Sequence, residues 1–383
     1  MTAVREVRGV VLERTGAAPP YADSRPLVVT ALHLAPPGPG EVLLRVGAAS
    51  VCHSDLSVVS GARPRPVPML LGHEGCGVVE EVGPGVEHVR PGQAVVLSFV
   101  PSCGTCRACA AGRPALCEAA DAAARAGTLL TGSRPASRDG APVHVHLGAS
   151  VFAERTVVHA SSVVPVPDDL APVDATLFGC ATLTGVGAVL RTAAARPGDS
   201  AAVFGLGGVG LAAVMGAALA GCSPVVAVDR VPEKVALALE VGASHGVLAA
   251  GREPEDVVAQ VRELTGGGAD HAFEVVGAPA VFAQAYAATG RGGTTVAVGL
   301  PGPDAELRLP AVGLVAQERR VLGSYMGSAV PARDVPRYVA LFRAGRLPVD
   351  RLRSGVLGLD GVNEAMDALA AGTAVRQVLL PGG

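Results

Sequence analysis

Ser200-Ala201-Ala202-Val203-Phe204-Gly205-Leu206-Gly207-Gly208-Val209-Gly210 is the stretch that decides the fold. Ser200 to Phe204 reads as a buried strand, the glycines follow at once, and the run to Ala220 reads as a helix. A G-x-G-x-x-G match is weak by itself. Here a strand precedes it, a helix follows, and an acid, Asp229, closes the next apolar strand, Val225 to Val228. Gly205, Gly207, Gly208 and Gly210, with Val209 among them, permit a tight turn and let backbone approach a pyrophosphate at the helix N-terminus. Asp229 suits the ribose hydroxyls of NAD, and its charge repels the 2′-phosphate of NADP. Arg230 beside it offers a cation for that same phosphate, so the reading favours NAD with NADP as the competitor.

Working outward, Pro232 suits a helix start and Gly242 a stop. His271 to Val276 and Thr294 to Val298 read as further strands, with Pro279 to Ala288 as the helix between them. Alternation of this kind implies α/β architecture around a doubly wound parallel sheet. Toward the N-terminus the pattern is different. Arg8 to Glu13, Glu41 to Ala49, Gly77 to Val82 and Ala94 to Val100 read as short strands parted by Gly/Pro turns. Glu118 to Gly148 reads as a long loop with one short helix. The expected division is a β-rich domain from residues 1–181 and 325–383, holding a cysteine lobe at 101–118, and a dinucleotide domain at 182–324.

That lobe carries Cys103, Cys106, Cys109 and Cys117 in the spacing C-x2-C-x2-C-x7-C. Four thiolates so close together can enclose one tetrahedral Zn2+, a structural arrangement. An iron–sulfur cluster is the competitor, and the nicotinamide-type fold favours zinc. A second, dispersed set comprises Cys52, His73-Glu74 and Cys180. Two thiolates and an imidazole leave a fourth position open, as in a catalytic zinc. Asp55 is placed to orient His73 through its second ring nitrogen, and Glu74 to bind or tune the metal. Ser54, two residues after Cys52, is a candidate proton carrier. Taken singly, His73 and Cys180 read as structural or core residues; the set favours metal. Cys76 and Cys222 read as core.

Composition narrows the class. A net charge of −3 over 383 residues offers no broad basic face for nucleic acid or an anionic membrane. Met1 to Val10 lacks the apolar core of a signal peptide, and eight cysteines suit a reducing compartment. The expectation is a soluble cytoplasmic enzyme. The basic residues are 30 Arg and one Lys, Lys234, five residues after Asp229, where a flexible amine reaches an adenosine ribose. A codon surviving on a solvated helix is the bland alternative.

On these motifs the chain resembles the zinc-dependent alcohol dehydrogenases of the medium-chain dehydrogenase/reductase superfamily. It is most similar to the branch of the liver-type and glutathione-dependent formaldehyde dehydrogenases. The likeness runs through Cys52-His53-Ser54-Asp55, Gly72-His73-Glu74, the cysteine lobe, Cys180, Gly205 to Gly210, Asp229, Lys234 and Arg376. It implies a GroES-like catalytic domain built from both chain ends around a Rossmann domain. It implies two zincs per chain, NAD and a homodimer, the segment Glu118 to Gly148 being similar to an insertion of dimeric members. It also implies Arg376 and His53 on the pyrophosphate, Thr184 near the nicotinamide, and Phe99, Leu147, His146, Ala122 and Val298 around substrate and coenzyme.

Two departures stand out. Many members carry a His five residues after the zinc Cys; this chain has Ser57. The glutathione-using members carry an acid near position 63 and an Arg near 121; this chain has Arg63 and Asp121. The expected reaction is hydride transfer between a primary, apolar or aromatic alcohol and NAD. The alternatives are an aldehyde reductase or a dismutase with tightly held NAD, and, from another class, a non-catalytic nucleotide-binding relative.

Overall fold

The spine of the N-terminal half is the strand Glu41–Ser50. Val42, Leu43, Leu44, Val46, Ala48 and Ala49 are all buried, so this strand is a nearly continuous apolar run, as a strand covered on both faces must be. It pairs antiparallel with Glu74–Val82, with Arg155–His159 and, from the other end of the chain, with Arg376–Leu380. A second six-stranded sheet is built on the antiparallel pair Arg5–Leu12 and Leu27–Leu34. The computed structural model describes residues 4–382.

The chain divides into two compact units. One holds the residues up to Cys180, Val330–Val339 and the residues from Leu352 on; the other holds Ala181–Ala329 and Ala340–Arg351. The C-terminal return to the first unit is therefore interrupted, since Ala340–Arg351 groups with the second.

The second unit contains six parallel strands in the spatial order His245–Leu248, Val225–Asp229, Ala201–Phe204, Ala269–Glu274, Thr289–Ala297, Arg320–Gly323. This is a doubly wound sheet whose strand order reverses between Ala201–Phe204 and Ala269–Glu274. Its core joins Phe204, Val226, Val228, Val247, Val257 and Val261.

The segment Glu118 to Gly148 corrects the expectation of a long loop with one helix. The helix is present as Glu118–Ala126, ended by Gly127 at φ 65°. Beyond it lie three short strands, Ala136–Arg138, Ala141–Pro142 and His144–Val145, all joined to the sheet of Arg5–Leu12. Strands of two or three residues are too short to show alternation, which is why the sequence pattern does not mark them. The strand Leu27–Leu34 also escapes a reading by pattern: its alternation is broken, and its order comes from eight paired positions along Arg5–Leu12.

Candidate metal centres and nucleotide loop

Cys52 emerges from the spine strand and caps the helix His53–Val59 with extended backbone, φ −130° and ψ 158°. Asp55 completes the cap: its Oδ2 accepts from the Cys52 amide at 3.0 Å. Its Oδ1 lies 2.9 Å from His73 Nδ1, and both side chains are fully buried. Burial alone would raise the Asp55 carboxyl, but the His73 charge and the hydrogen bonds from His146 and His73 hold it well below its usual range. With Nδ1 engaged by Asp55, Nε2 is the ring nitrogen left for another partner.

That Nε2 is buried and makes no hydrogen bond. Ligand atoms of Cys52, His73 and Cys180 lie within 4.8 Å of one another. His73 is delivered by Gly72, whose φ of 91° and close approach to Phe152 N (2.6 Å from a Cβ placed there) admit no side chain. Cys180 follows the 3-10 turn Thr176–Phe178, and Thr176 Oγ1 donates to the Glu74 carbonyl at 3.1 Å. Two cysteine sulfurs and one imidazole nitrogen that makes no hydrogen bond are the donor set a zinc ion takes, once it has displaced their protons.

Glu74 and Arg376 face each other. Glu74 is outside that close group; its Oε2 lies 3.3 Å from Arg376 Nε. Arg376 is 2% exposed and has Nη2 3.6 Å from Cys52 Sγ. A buried guanidinium needs anionic company, and Glu74 and the two cysteines supply it. The hydrogen bond from Cys180, together with the charges of Arg376 and His73, in turn holds the Cys52 thiol well below its ordinary value. Cys76, by contrast, is pushed up to about 12 by burial and stays a thiol.

His146 was expected only as a wall. It is buried with Nδ1 3.2 Å from the same Asp55 Oδ1, and its ring meets His73 edge-on at 5.6 Å. No spacing signal links position 146, after a strand of one sheet, to position 55, on a helix after a strand of the other. Phe99 also meets His73 edge-on, at 5.3 Å between ring centres. Ser54 is half-buried on the first helical turn, His53 is exposed, and Ser57 Oγ donates to the His53 carbonyl at 2.7 Å. Ala122 is exposed on its helix, and Leu147 adopts φ 47°.

The four lobe sulfurs, of Cys103, Cys106, Cys109 and Cys117, also lie within 4.8 Å of one another. Backbone amides point at them: Cys106 N donates to Cys103 Sγ and Cys103 N to Cys117 Sγ, each at 3.3 Å. Amide-to-sulfur bonds stabilise thiolate, so this set too fits a zinc ion, closed on all four sides.

In the second unit, Gly205 has φ 97°, and a Cβ at Gly210 would sit 1.8 Å from the Gly205 carbonyl oxygen. A Cβ at Gly207, by contrast, would meet nothing within 4 Å. One glycine turns the chain, one lets helix Gly208–Ala220 pack close, and one leaves open space above the helix N-terminus, as a pyrophosphate needs. Asp229 Oδ2 accepts from Leu206 N at 2.6 Å, and its Oδ1 from Arg230 N at 2.7 Å and Val231 N at 3.0 Å. The acid thus ties the glycine loop to the end of the next strand. Arg230 is exposed and Lys234 half-buried on the first turn of Pro232–Glu240; Thr184 is buried on Ala181–Gly187, and Val298 is half-buried.

Comparison with known proteins matches these features. Residues 38–168 match the alcohol dehydrogenase GroES-like domain family, and residues 208–344 match the zinc-binding dehydrogenase family. The chain is 38% identical over 376 residues to the NDMA-dependent alcohol dehydrogenase of Amycolatopsis methanolica, covering 96% of this chain and 99% of that one. The chain belongs to the zinc-dependent alcohol dehydrogenases. It is 36% identical to the S-(hydroxymethyl)glutathione dehydrogenase of Paracoccus denitrificans, over 96% of this chain and 100% of the relative. The solved benzyl alcohol dehydrogenase of Acinetobacter calcoaceticus superposes with a TM-score of 0.90 at 30% identity, covering 98% of this chain and 99% of that one. This alcohol dehydrogenase is therefore a zinc-dependent oxidoreductase that uses a nicotinamide nucleotide to interconvert an alcohol and its carbonyl product. No single helix among its described residues is long and apolar enough to cross a membrane.

Proposed function

We propose that this dehydrogenase oxidises primary alcohols with an apolar or aromatic substituent, using NAD, with one zinc held by Cys52, His73 and Cys180 and a second held by the four lobe cysteines. The observation that carries the reading is the buried, unbonded His73 Nε2 beside Cys52 and Cys180, with Asp55 fixing the opposite nitrogen.

A zinc ion in the open set supplies Lewis-acid chemistry, acidifying an alcohol hydroxyl. A bound nicotinamide coenzyme supplies the hydride acceptor. The protein does the rest. Asp55 holds His73 in place through Nδ1. Arg376 offsets the negative charge of Cys52, Glu74 and Cys180. Ser54 would relay the hydroxyl proton: its oxygen accepts that proton as its own passes on to solvent water, or to a histidine such as His53. Phe99, edge-on to His73, forms an apolar wall that excludes water and suits an aromatic ring. The likeness to a benzyl alcohol dehydrogenase supports that choice. Arg63 and Asp121, opposite in charge to the glutathione-reading pattern, argue against a glutathione adduct despite the likeness to the Paracoccus denitrificans enzyme. Asp229 supports NAD over NADP.

The eight cysteines, all free, support a reducing, cytoplasmic setting. The open sheet edge Arg320–Gly323, with Val321 and Leu322 exposed, supports a homodimer. A panel of alcohols read by NADH absorbance, with zinc counted on the same sample, tests the reading. Two zincs and preference for benzylic alcohol with NAD are expected; one zinc or none, with no turnover, would point to a non-catalytic relative.

A further inference from the structure

We infer that Glu274 positions the nicotinamide half of the coenzyme. The inference rests on the nucleotide reading above and concerns the second unit alone.

Glu274 ends the strand Ala269–Glu274, level with Phe204 on one neighbouring strand and Ala297 on the other. It is 2% exposed, and acids are rarely so buried without purpose. Its Oε1 accepts from three successive amides, Gly277 N at 2.7 Å, Val276 N at 2.9 Å and Ala278 N at 3.3 Å. Its own backbone carbonyl accepts from Val298 N at 2.8 Å and Gly299 N at 3.0 Å. One residue therefore organises the loops that follow two adjacent strands.

Those loops are tightly keyed. Gly277 has φ 82°, and a Cβ there would lie 2.8 Å from the Leu300 carbonyl oxygen. A Cβ at Gly299 would lie 2.0 Å from Gly277 N, and one at Gly205 would lie 2.5 Å from Val276 Cγ2. The Glu274-capped turn is wedged between the glycine loop and Val298–Leu300.

Position gives this a function. In an open parallel sheet, ligands bind beyond the carboxyl ends of the strands, where the strand order reverses. Here the reversal lies between Ala201–Phe204 and Ala269–Glu274. With the pyrophosphate over Gly207 and the adenosine ribose toward Asp229 on one side, the other half of the dinucleotide extends over the ends of Ala269–Glu274 and Thr289–Ala297. Glu274 shapes that floor without facing the ligand, so it is a positioning residue.

Two ligands separate this from plain loop stability. ADP-ribose carries everything except the nicotinamide ring; NADH carries the whole. Dissociation constants are measured for the full-length, zinc-replete enzyme, by NADH fluorescence enhancement and by calorimetry for ADP-ribose. Glu274→Ala is expected to weaken NADH at least about tenfold, the equivalent of about 1.4 kcal/mol, with ADP-ribose unchanged. Glu274→Gln, which keeps an acceptor oxygen, should bind NADH nearly as the parent does. Gly277→Ala displaces the same turn with Glu274 intact and must show the same selective loss, which keeps the idea testable if Glu274→Ala does not fold. Parallel loss of both ligands, or no loss of NADH, overturns the inference. Failure of the parent enzyme to bind ADP-ribose overturns the nucleotide reading itself.

Discussion

Asp55 Oδ1 lies 2.9 Å from His73 Nδ1 while its Oδ2 caps the helix that begins at Cys52, so one buried carboxylate sets the geometry of two of the three proposed zinc ligands. Helix capping and metal-ligand orientation are ordinarily separate tasks. Here they are coupled: moving the helix N-terminus moves the imidazole.

Removing that carboxylate should therefore loosen the open zinc. Loss of a residue that orients a metal-bound His typically costs about 10–100-fold in metal affinity. Asp55→Ala is expected to release one zinc per chain to a chelator in that proportion faster, while the lobe zinc stays. Zinc counted during timed chelation checks this; retention equal to the parent would take Asp55 out of the site.

The two cysteine sets should fail differently. Cys180→Ser is expected to abolish turnover and empty one site with the fold intact. Cys106→Ser should first lower solubility and thermal midpoint, because a closed thiolate site contributes to folding. A stable and fully active Cys106→Ser enzyme would contradict a bracing zinc in the lobe.

Coenzyme choice should follow Asp229. A charge-assisted hydrogen bond is worth about 1.5–3 kcal/mol, and a 2′-phosphate would lose it and meet a like charge. The ratio of kcat/KM for NAD over NADP should be at least about tenfold. Equal use of the two would show that Arg230 governs.

Glutathione should make little difference. With Arg63 and Asp121 in the positions named above, formaldehyde plus glutathione is expected to turn over poorly against benzylic alcohol. Efficient glutathione-dependent formaldehyde oxidation would reverse the substrate assignment.

The proton path should depend on Ser54. General acid–base assistance contributes about 10²–10⁴-fold, and Ser54→Ala should lower kcat/KM for alcohol oxidation by that range with zinc retained. Ser57 offers no substitute, since its hydroxyl is bonded to the His53 carbonyl and it has no basic nitrogen. Parental rates in Ser54→Ala, under conditions where hydride transfer limits, would exclude the role.

Much of this was legible in the chain itself. Gly205 to Gly210 between an apolar strand and an apolar helix announces a doubly wound sheet, because few residues other than glycine tolerate the turn and the close packing. The spacing of Cys103 to Cys117 announces a lobe that four sulfurs can close, because its ligands are near in sequence and need no tertiary knowledge. Pro279 to Ala288 is a helix with those bounds, set by a proline at its start.

Other features depend on distance in space rather than along the chain. His146 reaches Asp55 across 91 positions; Arg376 reaches Cys52 across 324, because the C-terminal strand pairs with the spine beside Ser50. Glu274 looks like any acid closing a strand until its three amide partners and the keyed glycines around them are seen. Local spacing determined which chemistry this chain carries, since turns, tight metal loops and helix caps are made by neighbours. The tertiary structure alone decided which charges and rings face one another at the metal centre, since burial pairs polar groups by position in the sheet and gives no local pattern to read.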